Sequence, residues 1–162
     1  MATPTNLPAS QTTGNVLTAA YVNDLRGAFR ILQVVSGSTT TVVSSTSTTF
    51  IDSGITATIT PQSSSSKIIV AVAEHIYCST ANTEASVQLL RGATTLQTFG
   101  SILLNTAGSI TGTFSTLALD SPATTSATTY KTQFMRQAGT GIVYGAGTNG
   151  WTSTIILMEV SA

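Results

Sequence analysis

Charge is the first thing this 162-residue chain is short of. Six Lys and Arg and six Asp and Glu make up 7% of the residues and leave a formal net charge of +0. A soluble globular domain ordinarily carries about a quarter charged residues. With no basic patch, neither a nucleic-acid backbone nor an anionic membrane surface is an expected partner. A monomer with so little charge is also poorly guarded against self-association, so an oligomer is the expectation.

Cysteine and histidine are nearly absent. Cys78 is the only cysteine, which excludes an intrachain disulfide and a thiolate metal cluster. It reads as a small strand-end residue and not as a nucleophile. His75, the only histidine, sits between Glu74 and Ile76 in the most apolar run, where a satisfied strand residue is the expected reading. There is no Gly-x-Ser-x-Gly elbow and no phosphate loop, because the Gly-x-Gly pairs at Gly139/Gly141 and Gly145/Gly147 are followed by neither lysine nor helix. The acids Asp24, Asp52, Glu74, Glu84, Asp120 and Glu159 are scattered, with no spacing that suggests a glycosidase couple. Asp52 and Asp120 head apparent turns, where a carboxylate caps backbone N–H groups. No catalytic residue, cofactor or metal is therefore expected, and the protein is not expected to be an enzyme. Residues 1–5 carry no basic n-region or apolar stretch, no apolar run is long enough to span a bilayer, and no N-glycosylation sequon occurs.

What the chain has in abundance is Ser, Thr and β-branched residues. Lys67 to Tyr77 (KIIVAVAEHIY) is the longest apolar run, bounded by Pro61 to Ser66 and by Ser79 to Asn82. Ser153 to Val160 (STIILMEV) has the same character. Both are apolar on nearly every residue, as expected of central strands in packed sheets. Shorter strands are expected at Val34–Val35 with Thr39–Val43, Thr48–Asp52, Ile55–Thr60, Ala85–Leu90, Thr95–Leu104, Ser109–Leu119, Thr128–Gln137 and Gly141–Gly145. Turn formers separate them: Asp52-Ser53-Gly54, Arg91-Gly92, Ala107-Gly108, Asp120-Ser121-Pro122 and Thr148-Asn149-Gly150. Eight or more short strands at regular spacing predict an all-β fold, a jelly-roll-like β-sandwich over residues 34–162.

Residues 1–33 read differently. Pro4, Pro8 and Gly14 among Thr, Ser and Asn predict an extended arm ordered only against another surface. Thr18 then caps a short helix from Ala19 to Leu32. Tyr21, Val22, Leu25, Phe29 and Leu32 share one face, with Leu17 just before it, while Gly27 weakens the element by roughly 1 kcal/mol. That apolar face is either satisfied within the protomer or is a plug for a partner. Trp151 reads as core or interface, with sugar stacking as the alternative.

Two stretches carry a resemblance. Gly14 to Arg26 (GNVLTAAYVNDLR) resembles the short N-terminal segment of many tailed-bacteriophage virion proteins. Ser47 to Pro61 (STTFIDSGITATITP), with the serines that follow and the ending Ser153 to Val160, is similar to small phage β-domain proteins, including those of cyanophages and marine phages. The resemblance implies a trimeric jelly-roll knob on the virion exterior, tethered by its N-terminal segment. The expected function is a non-enzymatic capsid decoration (cement) protein that binds the major capsid protein or other virion proteins through Leu17, Tyr21, Val22, Leu25 and Phe29. The alternative is a short tail-fibre or tail-tip adhesin that binds host glycan through loops near Ala81, Asn105 and Asn149. A glycan-degrading tail enzyme is a third reading, for which the acids offer little.

Overall fold

The structure is a computed structural model that describes residues 18, 31–103, 108–147 and 150–161. Ten strands make up most of it: β1 (Ile31–Thr39), β2 (Val43–Ser45), β3 (Ile51–Ile59), β4 (Lys67–Cys78), β5 (Glu84–Arg91), β6 (Thr94–Leu103), β7 (Ile110–Asp120), β8 (Thr128–Ala138), β9 (Val143–Gly145) and β10 (Ser153–Val160). All pairings are antiparallel.

The long run Lys67–Cys78 is the axis of the first sheet. One of its edges pairs with β7 from Ile68 to Cys78, and the other pairs first with β10 and then with β9. β1 and β2 follow one another along the outside of β10 and β9. This sheet is therefore four strands wide, in the order β1/β2, β10/β9, β4, β7. The second sheet has the order β3-β8-β5-β6. Taken along the chain, the strands change sheets in the double Greek-key sequence of a jelly roll. The expected all-β sandwich is found, and the two most apolar runs are neighbours at the centre of one sheet.

Alternation explains the core. On β4 the side chains of Ile68, Val70, Val72 and Ile76 point inward and are at most 4% exposed. Ile155 and Leu157 of β10 join them, and Val87, Leu89, Tyr130 and Phe134 face them from the second sheet. Each such side chain contributes about 1.5–3 kcal/mol by leaving water. The solvent face of the second sheet carries hydroxyls, such as the Thr58–Thr129 pair at 2.8 Å.

Several boundaries differ from expectation. Ile31 and Leu32, assigned to the end of a helix, are the first residues of β1; pairing of Ile31 with Val160 extends the sheet beyond the helical pattern. The rest of the expected helix and the arm lie outside the described residues. Asp52-Ser53-Gly54 is not a turn but a bulge within the single strand β3, where the pairing with β8 slips between Asp52 and Thr56. Gly54 takes φ +89 there, a conformation that L side chains rarely adopt. The separate strand expected from Thr48 begins only at Ile51, and Thr40–Val42 connect β1 to β2.

Candidate interaction surface

His75 and Cys78 are each taken up by their local surroundings. His75 lies at an outward position of β4, its Nδ1 2.8 Å from the Thr113 hydroxyl, with the Trp151 ring against it at 4.8 Å, edge to face. Ser153 accepts the backbone N–H of His75 and makes no contact that would activate its hydroxyl by the ring. Cys78 is fully buried, and burial pushes its thiol up to about 11.

The two aspartates do not cap turns. Asp52 pairs with Lys131 at 2.8 Å and accepts from Gln133 at 2.7 Å, and the Lys131 hydrogen bond holds its carboxyl below the usual range against partial burial. Asp120, at the end of β7, receives both the Arg91 guanidinium and the Tyr130 hydroxyl. These partners lie far away along the chain, so no local pattern announces them. Glu84 is bonded to Ser101 across the β5–β6 pair.

Two acids face the interior. Glu159 is packed beneath the loop after β3. Burial raises its pKa, but the Gln33 side chain at 2.6 Å and the Gln62 backbone N–H at 2.7 Å help to reverse the effect and hold the carboxyl low. Glu74 is unlike it. It is fully buried, neither carboxyl oxygen has a hydrogen bond, and burial lifts its pKa to about 7 despite the opposing Thr132 and Ser53 hydroxyls. Those hydroxyls are bonded to each other at 2.6 Å. The parity of Ile68, Val70 and Val72 along β4 aims Glu74 inward, a signal present in the sequence. Among the described residues no group of three or more His, Cys, Asp or Glu could hold a metal ion, and no helix is long and apolar enough to cross a membrane.

What the fold does build is a flat apolar face on the outside of the first sheet. Register places Val34, Met158, Ile69 and Leu119 side by side across all four strands. The adjacent row is Ser36, Ile156, Ala71 and Leu117. Leu117 and Leu119 stand 71% and 61% exposed as a ridge along β7. Beside the ridge, Ala71, Ala73, Thr154 and Ile156 line a shallow depression of ≈ 130 Å³. Further along the same face the side chains turn aromatic, with Tyr77 and Tyr144 at 5.3 Å and Trp151 46% exposed over His75. Lys67, at one end, is the only fixed charge at an outward position of β1, β4, β7 or β10.

The anchor residues inferred from sequence, Leu17, Tyr21, Val22, Leu25 and Phe29, lie outside the described residues, as do Asn105 and Asn149 of the expected distal loops. Ala81 is described and half-buried beside Asn82, whose φ is +57.

No family model matches this chain, and neither does any curated protein. Among solved structures it is similar to the insecticidal delta-endotoxin Cry8Ea1 from Bacillus thuringiensis, at 19% identity and a TM-score of 0.34 over 76% of this chain. The match spans 19% of the toxin chain, and a likeness that remote bears on neither assembly nor activity.

Proposed function

We propose that the protein is a non-enzymatic structural component of the exterior of a tailed-phage virion, a trimeric capsid decoration protein held in place by its N-terminal segment. The resemblance of Gly14–Arg26 and Ser47–Pro61 to phage virion proteins motivates the reading. The observation that carries it is the combination of a small sandwich, almost free of charge, with one wide apolar sheet face. Such a molecule acts by fit: many modest contacts, each removing apolar surface from water at about 25 cal/mol per Å², stabilise a shell without any reactive group. Major capsid protein or another virion protein is the partner, contacted through Leu17, Tyr21, Val22, Leu25 and Phe29. Neither nucleic acid nor membrane is involved.

A second reading, a tail adhesin for host glycan, has one observation in its favour. Trp151, exposed, and the half-buried His75, Tyr77 and Tyr144 form an aromatic strip of the kind on which sugar rings stack. Gold-labelled antibody against the chain, applied to intact particles, tests both. Label over the head supports decoration; label over the tail, with binding of the isolated sandwich to host cells, replaces it with the adhesin. Unlabelled particles overturn both readings.

A further inference from the structure

We infer that the outer face of the first sheet, centred on Ile69, Ala71, Leu117, Leu119, Ile156 and Met158, is the surface through which copies of this chain associate with one another. This concerns the pairing of two copies and stands apart from the trimer and the particle contact proposed above.

Three observations point to a second copy as the occupant. First, β4 and β10 are apolar at both parities. Their inward residues are accounted for by the core, while Ile69, Ala71, Ile156 and Met158 point away from it. Strands with near-continuous apolar runs are those covered on both faces, and within the described residues nothing covers this one. Second, the face carries both halves of a fit. The Leu117–Leu119 ridge lies beside the depression floored by Ala71 and Ala73, so the ridge of one copy has a seat on the next. A surface that is its own complement meets itself across a two-fold axis and generates a symmetric dimer. Third, charge is right for self-contact. Two identical faces confront each other with identical charges, and like charges brought together cost several kcal/mol. Lys67 is peripheral and no acid points outward, so identical faces meet without repulsion.

Size sets how tight the contact is. Four strands at about 4.8 Å spacing and seven residues at about 3.4 Å rise give a footprint of roughly 19 by 24 Å. That is about half of the ≈ 800 Å² per partner that a stable two-chain interface buries. Association through the face is therefore concentration-dependent and reinforced by other contacts in an assembly.

The test is sedimentation equilibrium of the full chain over a range of concentrations, with near-UV circular dichroism as a check of folding. The wild type is expected to sediment as a multiple of 16.6 kDa. The double variant Leu117→Lys/Leu119→Lys, at sites already exposed to water, is expected to associate at least tenfold more weakly. Thr58→Lys/Thr129→Lys, on the outer face of the other sheet, is expected to behave as wild type. Leu117→Ser/Leu119→Ser serves should the lysines disturb the fold. Unchanged association in the folded face variants, or a wild type that is a single chain at every concentration, overturns the inference. A chain that is single when whole and associates once residues 1–30 are removed also overturns it, because its own leading segment is then the cover. Association through this face without binding to particles leaves the inference standing and removes the virion reading.

Discussion

Arg91 Nη1 lies 2.8 Å from Asp120 Oδ2, and this one contact ties the end of β5 in the second sheet to the end of β7 in the first. The Tyr130 hydroxyl of β8 donates to the same oxygen at 2.7 Å. The Asp120 side chain is 11% exposed and that of Arg91 29%, so the cluster is largely desolvated and its charge-assisted bonds are worth more than those of a surface pair. Burial, reinforced by Asp120, pushes the Tyr130 phenol well above its usual range. Tyr130 is therefore a neutral donor at any pH the fold survives.

Removing the acceptor strands two donors. Asp120→Ala is expected to lower unfolding free energy by about 2–4 kcal/mol, because a buried phenol and a partly buried guanidinium lose their partner. Tyr130→Phe removes only one bond and is expected to cost about 1 kcal/mol. The double variant is expected to cost less than the two summed, since Asp120→Ala already destroys the Tyr130 bond. Urea unfolding of the four proteins gives the coupling directly, and strict additivity would refute the shared-acceptor account.

Glu74 sets a pH dependence of unusual sign. Its folded pKa of about 7 lies above the ordinary 4.5, so between these values the folded state holds a proton that the unfolded chain releases. Stability from this group is complete below about pH 4.5 and is lost as pH rises toward 7, by an amount on the order of 3 kcal/mol. Asp52 and Glu159, both lowered, act oppositely and lose their contribution as pH falls below the ordinary carboxylate range. Thermal stability is thus expected to peak near pH 5 and decline toward pH 8. In Glu74→Gln the decline should flatten while the acid limb persists. A wild type equally stable at pH 5 and pH 8 would remove this role for Glu74.

Cys78 is expected to be inert in the native protein. With no exposed surface and a thiol pushed up to about 11, it offers almost no thiolate at pH 8. A thiol-specific chromogenic reagent should react fully in denaturant and only at the rate of unfolding without it. Prompt native labelling would mean that the β4 end opens far more readily than its packing implies.

Much of this architecture is legible in the chain because its causes are local. β-Branched runs and turn residues mark β4 to β8 and β10 to within a few residues, and Gly92 at φ +57 closes the β5–β6 hairpin where Arg91-Gly92 foretells it. The errors occur where distant groups decide. Asp52-Ser53-Gly54 has turn composition, yet Ser53 is drawn into the interior by Thr132, 79 residues away, and the segment becomes a bulge. Asp120 has a turn-cap setting but finds Arg91, 29 residues back. The outer face was half visible. The doubled apolar parity of Lys67–Tyr77 and Ser153–Val160 shows two covered sides, but only register reveals that Val34, Leu117 and Leu119 complete a single surface.

Gly37 provides a test of how closely the two sheets meet. A Cβ built there would fall on the backbone carbonyl of Thr56 in β3, across the sandwich from β1. Thr56 has little freedom to move aside, because it pairs with Lys131 in the ladder and its hydroxyl donates to the Tyr130 carbonyl at 3.2 Å. Propensity and contact therefore predict opposite signs. Replacing a strand glycine with alanine ordinarily gains roughly 0.5–1 kcal/mol from the unfolded chain, whereas overpacking a closed contact costs about 1–3 kcal/mol. The obstacle is backbone held on both sides, so the cost should reach the upper end and Gly37→Ala is expected to destabilise by about 2 kcal/mol net. Ser36→Ala, next in sequence but pointing to solvent, should change stability by less than about 0.5 kcal/mol. Urea midpoints of the two variants separate the explanations: a Gly37→Ala protein as stable as wild type would mean that β1 does not approach β3 this closely.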